Sequence, residues 1–229
     1  MNWYPQKADE LNRILKSFLK NPEIDVKEVH GIIVPHAGYE FSGKIAGKAF
    51  ALLPKKEKAI VISPSHYAVF HGLMSLENIE TPLGEMKITE NDYKKLNYEH
   101  AIDNEIPFLQ KLGYSEVLPL VVGGISEKEA EKIAEELSNK PLPIIISTDL
   151  SHFLPYDIAV KKDRETIKII EDLDLSRLKE IDACGIFPVM IAMYLCKLRG
   201  WKPHLIEYKN SQDIIGEGDG VVGYASFWF

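Results

Sequence analysis

Three stretches of the chain share one construction: an apolar run of strand character, a short loop, and a histidine. They are IIVPH, ending at His36, AIVISPSH, ending at His66, and PIIISTDLSH, ending at His152. An imidazole can ligate a metal or carry a proton near neutral pH. In open α/β sheets, loops beyond the carboxyl ends of the strands are the usual place for a site. Strands entering in one direction would bring the three histidines to one edge. They are tens of residues apart, so only the fold can gather them. His30, His71 and His204 lack this placement and read as structural or surface residues.

Cys184 lies in EIDACGIFPVM, between two helical segments and beside Gly185. The positive end of a helix dipole favours a thiolate, which makes Cys184 a candidate metal ligand or reactive thiol. Cys196, mid-helix in MIAMYLCKL, reads as core packing. Ser147, Thr148 or Asp149 caps a following turn, or Asp149 orients an imidazole or holds a charge near a metal. Two imidazoles and one anionic side chain, with positions left open, follow the logic of a catalytic metal site. A carboxylate as third ligand favours non-haem Fe(II); a thiolate moves the preference toward zinc or copper without excluding iron. A metal-free alternative uses Cys184 as nucleophile and His152 as base. The stretch YEHAIDNEIPFLQK adds Glu99, His100, Asp103 and Glu105, which taken alone read as a solvated, capped helix start.

The elements that must position these residues alternate along the chain. Residues 6–21 carry Leu11, Ile14, Leu15, Phe18 and Leu19 at helical spacing. HGIIVPH reads as a buried strand, with Gly38 allowing a tight exit after it. FSGKIAGKAFALL reads as a helix whose Gly43, Ala46 and Gly47 permit close packing on a sheet. KAIVIS is a second strand. HGLMSLE and IETPLGEMKI read as strands around a turn at Pro82-Leu83-Gly84, and a polar helical stretch follows. The helix in NEIPFLQKLG closes at Gly113. EVLPLVVGG is a strand, SEKEAEKIAEELSNK a helix opened by a Ser126–Glu129 capping box, and PLPIIIST a strand. Residues 157–171 and GIFPVMIAMYLCKLRG are helices. KPHLIEYKN and VVGYASFWF are final strands separated by the glycine-rich loop IIGEGDG. The expectation is a single α/β domain over residues 1–229, with helices on a central mostly parallel or mixed sheet. Continuous apolar runs point to strands buried on both faces.

With 229 residues the chain can bury a substantial core without staples. A formal net charge of −7 argues against a nucleic-acid surface. Two cysteines make no disulfide framework and fit a reducing compartment. The N-terminus has no apolar leader-like run, and no stretch approaches the length of a membrane span. A cytoplasmic protein that engages neither membrane nor nucleic acid is expected.

Taken together, VPHAGYEFSGKIAGKAF, SPSHY, EHAIDNEIPFL, STDLSHF, DACGIFPV and GYASF resemble the Memo family, whose microbial members are also called AmmeMemoRadiSam system protein B. The matches run in order from about residue 30 to the C-terminus. The family is similar in fold to class III extradiol dioxygenases of the LigB type, which hold Fe(II) with two histidines and a glutamate. The resemblance implies that His36 and His66 are metal ligands, with His152 as acid–base residue and Asp149 beside it. Cys184 falls where the dioxygenases carry their glutamate, which puts ring cleavage in doubt. His100 carries over as a pocket-lining, ligand-binding residue. Iron or copper is the implied metal, with zinc possible, and the implied role is that of a redox protein or oxidoreductase. The alternative is a binding module that uses a dioxygenase-like pocket for a small molecule or peptide. A radical S-adenosylmethionine protein and an AMMECR-type protein are the implied partners.

Overall fold

The N-terminal helical spacing folds as α1 (Ala8–Phe18), which buries Leu11, Leu15 and Phe18 against the rest of the chain. The structure is a computed structural model that describes residues 3–20, 23, 24, 26, 28–216, 218 and 220–229. Asn21 of the expected helix, and Glu217 and Asp219 of the glycine-rich loop, lie outside the described residues. After α1 come β1 (Gly31–Val34), α2 (Gly43–Phe50) and β2 (Lys58–Pro64). An excursion of short strands follows: β3 (Leu73–Leu76), β4 (Glu80–Thr81), β5 (Gly84–Glu85), β6 (Lys87–Ile88) and β7 (Lys95–Leu96). Next are α3 (His100–Asp103), α4 (Ile106–Leu112), β8 (Glu116–Val122), α5 (Glu127–Ser138), β9 (Ile144–Ser147) and β10 (His152–Leu154). The chain ends with α6 (Tyr156–Asp172), α7 (Ile186–Arg199), β11 (His204–Asn210), α8 (Ser211–Ile215) and β12 (Val221–Trp228).

Among the described residues, ten strands join one mixed sheet in the order β10-β12-β1-β9-β2-β8-β3-β7, with β11 on β12 and β6 on β8. Its centre is parallel: β1 pairs with β9, β9 with β2, and β2 with β8. The β12 pairings with β1, β10 and β11, and that of β3 with β8, are antiparallel. The sheet is therefore mixed, with antiparallel pairing at its C-terminal strands and at β3.

The central strands are apolar throughout because both faces are covered. Ile33, Ile60, Ile62, Leu120 and Ile146 pack in the core with the α5 and α7 residues Ala134, Val189 and Ile191. Their neighbours Ile32, Val34, Val61, Val121 and Ile145 belong to the opposite core with Leu11, Leu15, Phe50 and Leu109. Successive side chains of a strand point to opposite faces, so every residue in these runs is buried. Each fully buried aliphatic side chain contributes about 1.5–3 kcal/mol over an exposed one, which explains why four-residue strands such as β1 and β9 hold the centre.

Local signals act where sequence put them. Ser126 accepts from the Glu129 backbone N–H while Glu129 returns a bond to the Ser126 N–H, so α5 starts at its capping box. Gly113 takes the left-handed conformation (φ 90°) that ends α4. Three expectations need correction. The polar stretch 89–99 forms no helix: Asn91 turns the chain by accepting from the Tyr93 N–H, and β7 is captured at the edge of the sheet by β3. The small residues of α2 approach α1 rather than the sheet, since a Cβ at Gly43 or Gly47 would collide with Phe18. Gly38 has ordinary room and no positive φ, so a side chain would fit there. The loop before β12 also contains α8, whose cap is a second box between Asn210 and Asp213.

Candidate metal centre

β9 lies between β1 and β2 although it follows them by a long stretch of chain. The residues leaving β9 therefore emerge between the loops that carry His36 and His66. Cys184 arrives from the other side, two residues before α7. Its backbone N–H donates to the Asp149 carbonyl (3.2 Å), and the Asp149 N–H donates to its sulfur (3.3 Å). Gly185 lets this segment lie against β9, because a Cβ there would sit 2.6 Å from Thr148 Oγ1.

His36, His66 and Cys184 thus offer ligand atoms that all lie within 4.8 Å of one another. His36 Nε2 is 3.3 Å from Cys184 Sγ. Donors around a four-coordinate ion are spaced by about 3.3–3.8 Å, so this trio needs only a small contraction to close on one. Each imidazole is tied back at its other nitrogen. His66 Nδ1 donates to Glu99 Oε1 (2.9 Å), and the His66 backbone N–H donates to Glu99 Oε2 (2.7 Å). His36 Nδ1 meets Ser147 Oγ at 2.8 Å. Both Nε2 atoms are left for the centre. The donor set, two imidazoles and one thiol, fits a borderline or soft transition metal.

Burial, with the nearby His100 and His66 adding to it, holds the His36 imidazole well below its usual range, so it is neutral and able to ligate. Burial would raise the Glu99 carboxyl, but contacts from the His100 and His66 rings and the His66 and Ala101 N–H groups outweigh it and pull it down to about 2. His100 Nδ1 is 3.2 Å from Glu99 Oε1 yet is not aligned for a hydrogen bond. Burial pushes the Asp149 carboxyl up to about 6, against the opposing pull of His152 and the N–H groups of His36 and Ala37. Asp149 Oδ1 accepts from the His36 N–H (2.9 Å), and its Oδ2 is 3.9 Å from His36 Nε2.

Burial, and then the Asp149 carboxylate, push the Cys184 thiol up to about 12. The residue is half-buried, but Thr148, Asp149 and His36 surround its sulfur. This corrects the expectation of a thiolate favoured by a helix dipole: the desolvation cost is larger than what a helix end returns. The imidazole in contact with Cys184 is that of His36.

His152 stands at the exposed start of β10. Its Nδ1 donates to the Leu150 carbonyl (2.8 Å), which leaves Nε2 free to take a proton. It lies near enough to His36 and Asp149 to act on both electrostatically. His100 is buried beside the cluster, stacked on Trp3 at 4.5 Å and with its ring centroid 4.3 Å from that of His66. His30, His71 and His204 lie elsewhere, on Trp201, Glu129 and Trp228 respectively. Cys184 and Cys196 are both free.

Several residues that sequence reasoning set aside belong to this neighbourhood. Glu99 does cap α3, accepting from the Ala101 N–H (3.2 Å), but it is fully buried and holds His66 as well. Glu105 is buried and accepts from Ser147. Asn104 Nδ2 donates to the His36 carbonyl (2.6 Å). The available signal was acids spaced among Ala101, Ile102 and Ile106, the apolar residues that turn this segment inward.

A mixed α/β sheet with two imidazoles and a thiol converging at one edge defines a candidate metal-site protein. The family described as Memo-like protein matches residues 2–228, and the chain belongs to it. A MEMO1 family protein of Methanococcoides burtonii is 33% identical, covering 98% of this chain and 95% of the relative. One from Archaeoglobus fulgidus is 30% identical, covering 100% and 96%. Among solved structures, an uncharacterized protein from Escherichia coli K12 matches with a TM-score of 0.56 at 11% identity, covering 88% of this chain and 100% of that one, which bears on the fold alone. No helix among the described residues is long and apolar enough to cross a membrane.

Proposed function

We propose that this Memo protein holds a transition-metal ion with His36, His66 and Cys184 and works as a redox protein or oxidoreductase. The observation that carries the reading is the convergence of those three donors from three separate loops. The family resemblance favours iron or copper, and the thiolate–bis-imidazole set is also compatible with zinc. Such an ion supplies a positive charge that makes the Cys184 thiolate accessible and, if iron or copper, an electron-transfer site. The chain's own residues handle the protons. Asp149, with its carboxyl raised by burial, can hold a proton at Oδ2. His152, held by Leu150, can exchange one with solvent at Nε2.

A second reading, a module that binds a small molecule or peptide, draws on the aromatic mouth. Tyr67 and Phe153 are exposed, Tyr67 packs on Tyr98 and His100, and Phe153 has a strained φ of 56°. Metal analysis of anaerobically purified protein separates the two. Stoichiometric iron, copper or zinc, lost in both Cys184→Ala and His36→Ala variants that still fold, is the result expected. Metal-free wild-type protein that cannot be loaded by added Fe(II), Cu(I) or Zn(II) would sink the metal reading.

A further inference from the structure

We infer that Glu105, acting through Ser147, is the positioning residue that sets the tautomer of His36 and so aims its Nε2 lone pair at the metal position. The inference rests on the metal reading for its functional meaning and on geometry for its substance.

Glu105, Ser147 and His36 are all buried, at 1%, 0% and 2% exposure, which leaves no water to compete for their hydrogen bonds. Ser147 is the last residue of β9 and pairs in register with Val34, two residues before His36. Glu105 is the residue before α4, whose Ile106 and Leu109 anchor it to the core. The loop of His36 is fastened to the same junction at two further points: Asn104 Nδ2 donates to the His36 carbonyl, and the Tyr39 hydroxyl donates to the Asn104 carbonyl (2.9 Å). The relay therefore joins parts that are already held rigid.

A serine hydroxyl has one proton to give and lone pairs to receive with. Ser147 gives its proton to Glu105 Oε1 at 2.9 Å. At 2.8 Å from His36 Nδ1 it can then only accept, so Nδ1 carries the hydrogen and Nε2 is bare. Without the relay the preference reverses. Nε2 faces the Cys184 sulfur at 3.3 Å and the Asp149 carboxyl at 3.9 Å, both of which attract a proton placed on it. That proton would have to leave before a metal could bind. Burial holds the Glu105 carboxyl well above its usual range, but a proton on its unpartnered Oε2 still leaves Oε1 to accept from Ser147. Glu99 directly on His66 and Glu105 one hydroxyl removed from His36 thus do the same work for the two imidazoles.

The opposite polarity is chemically definable. A protonated Glu105 giving its hydrogen to Ser147, and Ser147 giving its own to His36 Nδ1, would leave Nε2 protonated. Nitrogen-15 NMR of the His36 ring in metal-free wild-type protein at about pH 8, where an unperturbed histidine is neutral, separates the two. A protonated Nδ1 and bare Nε2 are expected; a protonated Nε2 would overturn the inference. This measurement requires no metal, so it stands even if the wild-type protein takes none and the functional reading falls. In Ser147→Ala the protonated nitrogen should shift toward Nε2, and Zn(II) affinity should fall about 10–100-fold. Glu105→Met, which removes a buried carboxyl at similar volume, should weaken Zn(II) binding without lowering Tm. Unchanged tautomer and affinity in both variants would reduce Glu105 to a structural residue.

Discussion

Glu99→Gln removes one acceptor from the group that holds His66. The carboxylate accepts His66 Nδ1–H at 2.9 Å and the His66 backbone N–H at 2.7 Å, with Ala101 N–H at 3.2 Å sharing Oε1. An amide can offer only one oxygen, so at least one of these donors loses its partner and faces an NH2 group. A hydrogen bond to a charged group is worth about 1.5–3 kcal/mol. If the Nδ1 bond is the one lost, His66 is free to rotate and to change tautomer. The cost to metal binding should then be about 1.4–2.7 kcal/mol, or 10–100-fold in affinity. The burial that Glu99 endures makes the outcome unambiguous in sign, because water cannot replace the missing acceptor. Competition with a chromophoric chelator for Zn(II) measures the affinity, and the Co(II) absorption spectrum reports whether the ligand set is intact. Helicity and Tm monitor α3 separately, since loss of its cap alone costs about 1 kcal/mol of stability. A variant with lowered Tm but unchanged metal affinity and Co(II) spectrum would refute the reasoning and leave Glu99 as a helix cap only.

Gly185→Ala should drive the Cys184 segment away from Thr148 and Ser147, whose atoms a Cβ would meet at 2.6 and 2.9 Å. Overpacking of this kind costs about 1–3 kcal/mol; a Tm within error of wild type, together with undiminished Zn(II) affinity, would contradict it. Glu116 carries a different test, far from the histidines. Bonds from Lys87, Lys58 and Thr89 bring its carboxyl down to about 2, below the value of about 4.3 it has in an unfolded chain. Its contribution to stability is thus present above about pH 4.3 and is lost as pH falls toward 2. Glu116→Gln should lower Tm at neutral pH and flatten the acid limb of a Tm–pH curve, and parallel curves for the two proteins would count against this linkage.

Much of the architecture is legible because its signals are local. The apolar runs of β1, β2, β8 and β9 are continuous, the capping box of α5 occupies four adjacent residues, and Gly113 and Gly200 end their helices in left-handed conformations. The 89–99 stretch misleads for the complementary reason. Its polar residues are compatible with a helix, but an Asn91 turn and an edge position beside β3 offer its backbone other hydrogen-bond partners. Local preference loses where packing does not reward it.

The candidate site divides in the same way. A histidine after each of three apolar strands, and a cysteine before a helix, are visible in the order of residues alone. What the residue order could not contain is that β9 enters between β1 and β2, carrying Ser147 and Asp149 between the two histidine loops. Nor could it reveal that Glu99 and Glu105 turn inward, since the burial of an acid depends on which distant surfaces close over it. The Cys184 thiol makes the point most sharply. Its position before α7 predicts a lowered acidity constant, whereas its enclosure by Thr148, Asp149 and His36 pushes it to about 12. The order of residues specifies most of the strands and helices and the types of side chain available for chemistry. The tertiary structure decided which of them touch and how far water is kept from them, because desolvation and hydrogen-bond direction are properties of contacts made across the whole chain.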